Sequence, residues 1–308
     1  MARYWGLPCP GLAPYVGRRV MSGANQGQPC DPLGRALLGQ EVKGGYWNGP
    51  HDALAKQLHD EAMAAGLYPR YEHRDLFTPF LGAGGAEARH DSDAQRQGYR
   101  PDLYYDPAVA TARARLYPRR AILEVKTTMY SGRYHNHPRA HSQSHGHTVT
   151  SRAASVPADV RRKLRQADMR YNGTAAVGPP GPAETHLASF HLVPIVGGHF
   201  GEGNAELMDL IKRIARVLSA SKWRQLGFKG PKGGVAPAEA GIARRVGLAL
   251  DRANAQRVAR CVSQVEGGGG AGRGEARGLA GDVDLDAQRD HDAQDFTGGG
   301  AVRAGAAA

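Results

Sequence analysis

The segment RRAILEVKTT, residues 119–128, constrains the fold more than any other feature of the sequence. Its apolar and β-branched residues form an uninterrupted run, and charge appears only towards its ends, which is typical of a strand buried in a sheet. Side chains alternate along a strand, so Glu124 and Lys126 point to one face and Val125 to the other. A carboxylate and an ammonium at the end of such a strand are poor core material, which favours a polar site there.

A second predicted strand, Arg100–Asp106, begins with Pro101 and Asp102. If the two strands form an antiparallel hairpin, the start of the first lies beside the end of the second. Asp102 then lies next to Glu124 and Lys126, and two carboxylates on one sheet face suit a hard cation such as Mg²⁺. The alternative is purely structural: Pro-Asp opens a strand, and Glu124 and Lys126 form a solvated pair at a strand end.

Hydrophobic periodicity predicts an α/β chain with helices packed on the faces of a mixed sheet. The predicted order is helix, three strands, helix, strand and helix, followed by a last helical segment. The predicted helices are 51–66, 157–171, 204–219 and 236–262, and the predicted strands are 67–77, 100–106, 119–128 and 187–196.

The composition divides the chain into four regions. Residues 1–45 are rich in Gly and Pro and predict an extended arm, 46–222 form the α/β domain, 223–265 form a basic helical extension, and 266–308 form a disordered Gly/Ala-rich tail. The tail holds eight acidic residues and four arginines, so it carries −4 of a net +11 and leaves +15 on the rest. That charge suits a polyanionic partner such as nucleic acid, although a GC-rich coding sequence also enriches arginine.

The Pro-Asp and Glu-Val-Lys residues and the order of elements resemble the PD-(D/E)XK nucleases, whose restriction-endonuclease-like core is a helix, three strands, a helix and a strand. The resemblance covers roughly residues 50–200 and implies metal-dependent hydrolysis of phosphodiester bonds. It implies that Asp102, Glu124 and Lys126 are catalytic. It also implies that both carboxylates and the Val125 carbonyl hold Mg²⁺, with Mn²⁺ as a substitute.

The resemblance implies further residues on two helices. Many members of the family add a glutamate from the first helix to the metal, for which Glu61 is the candidate and Asp60 or Glu72 the alternatives. Some members place Gln and Tyr on the second helix, where Gln166 and Tyr171 occur at a spacing that departs from Gln-x-x-x-Tyr. The segments 151–164 and 196–211 also resemble proteins of mobile genetic elements.

The second predicted helix of the domain is strongly basic. In the nuclease interpretation it lies beside the catalytic residues and grips the phosphate backbone. The alternative is a solvated, arginine-rich helix face. The residues expected to contact nucleic acid are Arg152, Arg161, Arg162, Lys163, Gln166 and Arg170.

Histidines and cysteines predict no zinc site. The five histidines between residues 135 and 147 are surrounded by Ser, Gln, Asn and Gly, which favours a flexible polar loop. Cys9, Cys30 and Cys261 lie far apart and predict free thiols in a reducing compartment. No stretch has the character of a secretory signal or a membrane span. We therefore expect a soluble intracellular protein without a membrane partner, with the nucleus as one candidate compartment.

The sequence thus predicts a metal-dependent nuclease that acts on DNA, with endo- and exonucleolytic cleavage both left open. Two alternatives belong to other functional classes. One is a non-catalytic nucleic-acid-binding protein on the same fold, and the other is an interaction protein whose basic surface binds acidic partners. The sequence also leaves open an RNA substrate, the strandedness of the substrate and the oligomeric state, including a dimer.

Overall fold

The structure, a computed structural model, describes residues 10–21, 26–38, 49–73, 75–82, 99–110, 115–128, 149–198 and 202–266. The histidine-rich loop, Cys9 and residues 267–308 of the predicted tail lie outside these ranges. No described helix is both long and apolar enough to cross a membrane.

The described chain contains six α-helices and four strands. The helices are α1 (Arg35–Leu38), α2 (Gly49–Ala64), α3 (Val149–Asn172), α4 (Pro182–His186), α5 (Ala205–Lys222) and α6 (Val235–Glu266). The strands are β1 (Arg70–Tyr71), β2 (Leu103–Tyr105), β3 (Ala121–Thr127) and β4 (His191–Gly197).

The four strands form one mixed sheet in the order β1-β2-β3-β4, which confirms the predicted α/β class. β2 is antiparallel to both β1 and β3, and β4 is parallel to β3. The antiparallel pairing of β2 with β3 is the hairpin predicted from the sequence. A parallel pair requires a crossover connection, and α3 lies in the connection between β3 and β4.

Helices cover both faces of this sheet. Leu123 and Val125 of β3 share one core cluster with residues of α2, α5 and α6. Ile122, which points to the other face, packs with Val160 and Leu164 of α3. Burying each of these aliphatic side chains stabilises the fold by roughly 1.5–3 kcal/mol. β3 is therefore packed between two apolar layers, which fix the position of the strand end that carries Glu124 and Lys126.

β1 is much shorter than the strand predicted over residues 67–77. Tyr68 and Glu72, on either side of it, have positive φ angles of 47° and 45°. A residue in this left-handed region cannot continue the extended ladder, so the strand is confined to two residues. The amide of Glu72 still donates to the carbonyl of Asp102 at 3.0 Å, which ties this segment to the start of β2.

α3 begins eight residues before the predicted start at Pro157. Proline is common in the first turn of a helix, but Pro157 here lies inside one. Ala153 and Val156 are buried, so packing holds the turns that precede the proline.

The short helix α4 was not predicted from the sequence. It begins where the amides of Ala183 and Glu184, in its first turn, donate hydrogen bonds to the buried Asp168 of α3.

β4 lies at one edge of the described sheet, and two residues hinder the pairing of a further strand with its outer side. Pro194 has no N–H to offer to a further strand. Asn204, which is 3% exposed, accepts from the Val196 amide at 3.0 Å and donates to the Pro194 carbonyl at 2.8 Å. The same side chain accepts from the Leu207 amide at 3.2 Å and so caps α5.

The N-terminal region differs from the predicted extended arm. Residues Pro10–Tyr15 form a 3₁₀ helix, Arg19 forms an isolated bridge with Pro29, and α1 follows. The apolar residues of this region are widely spaced in sequence, yet they cover the C-terminal part of α6. That cluster consists of Leu12, Tyr15, Val20, Cys30, Ala36, Leu37, Val258, Cys261 and Val262.

The predicted helical extension, 223–265, is likewise part of the main core. Ile242, Val246 and Leu250 of α6 belong to the cluster that packs on β3. The described residues up to 265 accordingly belong to one compact unit. The sequence boundary at residue 222 marks a change in composition and does not mark a change in packing.

Candidate active site

The start of β2 and the end of β3 bring Asp102, Glu124 and Lys126 together. The Lys126 Nζ lies 2.7 Å from Glu124 Oε1, 2.7 Å from the Val125 carbonyl oxygen and 3.5 Å from Asp102 Oδ2. These three acceptors are the metal ligands that the sequence predicts. They converge on one point, where the ammonium provides the positive charge that balances them.

Asp102 is fixed through both of its carboxylate oxygens. Oδ2 accepts from the Val125 amide at 2.7 Å, and Oδ1 lies 3.2 Å from Nε2 of His51. Burial, the largest single influence, raises the pKa of Asp102. The hydrogen bond from His51, the charges of Lys126 and His51 and the Val125 amide together outweigh burial and lower that pKa below its ordinary value. Asp102 is therefore a carboxylate that favours the ionised form and is fixed in orientation.

His51 was missed by sequence reasoning. It lies in the first turn of α2, with Nε2 towards Asp102 and Nδ1 2.8 Å from Asp52 Oδ1. Burial, and to a smaller extent the charge of Lys126, lowers its pKa. The hydrogen bonds that His51 donates to Asp102 and Asp52 and the charge of Asp102 outweigh both and raise the pKa above its ordinary value. Carboxylates on both ring nitrogens match an imidazolium that donates twice. The Pro-His-Asp run at the helix start was its one sequence signal.

Glu124 is the most enclosed member of the group, with 1% of its side chain exposed. Its Oε1 accepts from both Lys126 and Lys163, the latter at 3.2 Å, and its Oε2 accepts from the hydroxyl of Tyr99. Burial and then the charge of Glu124 raise the pKa of Tyr99 well above its ordinary value, so the phenol stays a neutral donor. Two ammoniums and a hydroxyl thus surround Glu124, and such partners offset the cost of burying a carboxylate.

Glu61 does not join this group. Both of its oxygens accept from Arg245 of α6, at 2.5 and 2.8 Å, and Oε1 also accepts from Gln57. It lies ten residues after His51 on the same helix, which is about 15 Å along the axis. The prediction that Glu61 binds the metal is therefore wrong, since α2 presents His51 to Asp102 and turns Glu61 towards α6.

The two alternatives to Glu61 have different positions. Asp60 is exposed and pairs with His59 at 3.1 Å, at the same remove along α2 as Glu61. Glu72 has an exposed side chain, but its backbone is bonded to Asp102. Of these three residues, Glu72 is the one that is hydrogen-bonded to Asp102, and it bonds through its backbone amide.

The donor set fits a hard cation better than a zinc ion. In the described part of the chain, no three His, Cys, Asp or Glu side chains are grouped closely enough to hold a metal. The oxygens that do converge are two carboxylates and one backbone carbonyl. Mg²⁺ needs few protein ligands because it keeps several waters, whereas a structural zinc site requires four tightly arranged donors.

The basic residues of α3 divide into two groups. Successive residues turn by about 100° around a helix, which places Arg152, Gln166 and Arg170 on the same side as Lys163. Arg161 is rotated by about 160° from Lys163 and lies on the opposite flank of the buried face. The prediction that Arg161 contacts nucleic acid beside the site does not fit this position.

Several of these cations also have partners within the protein. Arg152 and Arg162 both bind Asp159, at 3.0 and 2.8 Å. Arg165 binds Glu184 at 2.8 Å and two backbone carbonyls, so its role is to hold the segment after α3. Lys163 has 46% of its side chain exposed and contacts Glu124, so it is the cation that connects the basic face to the site.

Comparison of the chain with protein-family models, curated proteins and solved structures gives no significant match. The assignment of roles to these residues therefore rests on the geometry of this chain. That geometry consists of a β-hairpin that presents two carboxylates, a carbonyl and the ammonium of Lys126 at the end of β3, and of a second ammonium, Lys163, that α3 adds.

Proposed function

We propose that this protein is a metal-dependent nuclease of the PD-(D/E)XK kind that hydrolyses phosphodiester bonds in DNA. The observation that carries the proposal is the convergence of the Asp102 and Glu124 carboxylates and the Val125 carbonyl on the ammonium of Lys126. The order helix, three strands, helix and strand, observed as α2 to β4 with the short α4 inserted, is the order of that family's core and supports the same interpretation.

In this proposal Asp102, Glu124 and the Val125 carbonyl hold Mg²⁺, or Mn²⁺ in its place. An ion held by these residues would supply positive charge for the phosphate and a water of lowered pKa. Lys126 donates hydrogen bonds to the scissile phosphate and stabilises the negative charge that develops there. The Val125 amide and His51 keep Asp102 in place, so this carboxylate is held in position before a metal binds.

Cleavage of supercoiled plasmid by the purified chain tests the proposal. We expect nicking with Mg²⁺ or Mn²⁺ and none with EDTA. Glu124→Gln keeps the size of the side chain but removes its charge, and we expect it to lower the rate by at least about 100-fold. Asp106→Asn, at the other end of β2, is the matched control and keeps the wild-type rate. Cleavage that survives EDTA, or that Glu124→Gln leaves intact, would refute the proposed site.

The basic face of α3 predicts the path of the phosphate backbone. Lys163→Gln and Arg170→Gln should each weaken DNA binding in EDTA and reduce the slope of log K against log salt by about one. Arg161→Gln removes the same charge from the opposite flank and serves as the matched control. Binding measured by fluorescence anisotropy at several salt concentrations checks this. Equal losses for all three variants would show that net charge, rather than this face, attracts DNA.

A second candidate is a non-catalytic nucleic-acid-binding protein on the same fold. One observation favours it: Glu124 already accepts three hydrogen bonds, and Lys126 already balances the carboxylates. This candidate predicts salt-sensitive DNA binding with no cleavage at any Mg²⁺ or Mn²⁺ concentration. Salt-sensitive DNA binding by the folded core would count against the third class, an interaction protein whose basic surface binds acidic partners.

A further inference from the structure

We infer that Tyr99 is a positioning residue that serves both halves of the site: its hydroxyl orients Glu124 towards the metal, and its ring face holds Lys163 for the substrate. The inference rests on the proposed function and deepens it. Tyr99 lies three residues before Asp102, so its backbone is tied to the strand that supplies the other carboxylate.

The hydroxyl of Tyr99 controls which oxygen of Glu124 faces the site. It donates to Oε2, while Oε1 faces the ammoniums of Lys126 and Lys163. Glu124 is 1% exposed and Tyr99 is 6% exposed, so water has little access to replace this bond. Without the hydroxyl, Oε2 would be a buried acceptor with no donor, and the carboxylate would lose the contact that fixes its rotation.

The ring of Tyr99 performs a separate task. It packs against Phe77, with ring centroids 5.6 Å apart, which fixes its plane in the core. The Nζ of Lys163 lies 5.4 Å from the centroid of the same ring and 3.2 Å from Glu124 Oε1. A cation over an aromatic face is attracted to it, so the ring holds the exposed lysine at the mouth of the site.

Because the two tasks use different parts of one side chain, substitution can separate them. Tyr99→Phe removes the hydroxyl and keeps the ring face. Residues that orient metal ligands typically contribute 10–100-fold to metal affinity, so we expect Tyr99→Phe to weaken metal binding by about 10-fold or more. DNA binding in EDTA, which depends on Lys163, should stay at the wild-type level. Lys163→Gln should weaken DNA binding in EDTA without weakening metal binding, because it removes an ammonium that contacts Glu124 Oε1.

The test measures Mn²⁺ binding to the full chain by electron paramagnetic resonance, without DNA. Tyr105→Phe is the matched control, because it also removes a buried tyrosine hydroxyl, one that accepts from the Leu116 amide at 3.0 Å. Thermal denaturation confirms that each variant is folded. Cleavage is then followed as a function of Mg²⁺ concentration, and we expect Tyr99→Phe to require more Mg²⁺ and to recover most of its rate at saturation.

The possible outcomes are distinct. Weaker Mn²⁺ binding by Tyr99→Phe than by Tyr105→Phe, with unchanged DNA binding in EDTA, supports the inference. Equal Mn²⁺ affinity in the two variants, with the wild type binding the ion, overturns the inference and leaves the proposed function standing. A wild type that binds no Mn²⁺ overturns the proposed function itself, and the inference with it.

Discussion

Lys126→Met is expected to lower the rate of metal-dependent DNA cleavage by about 10²–10³-fold without weakening metal binding. The loss follows because Lys163, the neighbouring cation in the described part of the chain, approaches Glu124 from α3 and does not take the position of Lys126. Removing a preorganised donor from the developing charge of a transition state typically has an effect of this size. Methionine keeps the length and apolar stem of the lysine, so the core at the end of β3 is disturbed little.

Metal binding should be preserved, or become tighter, for an electrostatic reason. The ammonium of Lys126 and a bound cation are attracted to the same three oxygens, on Asp102, Glu124 and Val125. Removing the ammonium removes a competing positive charge. Single-turnover cleavage and Mn²⁺ titration of the same preparation measure the two effects, with Lys56→Met, at an exposed position on α2, as the matched control. Loss of Mn²⁺ binding in Lys126→Met would show that the lysine supports the carboxylates rather than the reaction.

The centre of the site could be predicted because it depends on local rules. Alternation along β3 places Glu124 and Lys126 on one face, and antiparallel pairing with β2 places Asp102 beside them. The sequences of β2 and β3 were enough to predict that these three side chains lie together. The same reasoning predicted α2, α5 and α6 with boundaries close to those observed, because each carries a clear apolar stripe.

The surroundings of the site could not be predicted, because they depend on how distant elements pack. His51 reaches Asp102, and Lys163 reaches Glu124 from a separate helix. Nothing local distinguishes Glu61, a glutamate on a correctly predicted helix, from a metal ligand. Its assignment is decided by Arg245, which lies 184 residues away in sequence. Tyr99 was overlooked for the same reason, since it precedes β2 and contacts Glu124 of β3, 25 residues later in the sequence.

Asp168→Ala is expected to destabilise the fold by about 3 kcal/mol, because this buried carboxylate starts α4 from a neighbouring helix. Its Oδ1 accepts from the Ala183 amide at 3.0 Å and from Asn172 Nδ2 at 2.6 Å, and its Oδ2 accepts from the Glu184 amide at 2.9 Å. Alanine leaves the Ala183 and Glu184 amides without this acceptor, at a cost of about 1–3 kcal/mol for each buried group. Asn172 Nδ2 loses one acceptor but keeps the Phe80 carbonyl at 2.9 Å. The contributions are not additive, since part of the segment can relax.

Gly181 gives an independent test of the same arrangement. A β-carbon there would overlap the Asp168 carboxylate, so Gly181→Ala should displace it and also destabilise the protein. Asp159→Ala is the matched control on α3, because its partly exposed carboxylate pairs with the more exposed Arg152 and Arg162. Ion pairs that solvent reaches contribute about 0–1 kcal/mol.

Chemical denaturation of the three variants at pH 7 measures these effects. In a thermal scan, about 3 kcal/mol corresponds to a fall in Tm of roughly 6–12 °C for a domain of this size. A fall of that size for Asp168→Ala and Gly181→Ala, with little change for Asp159→Ala, would establish that a carboxylate from α3 caps α4. Because α3 also carries Lys163, the cap fixes the helix that brings this lysine to Glu124. Equal losses for Asp159→Ala and Asp168→Ala would show that the charge on α3, rather than the cap, stabilises this region.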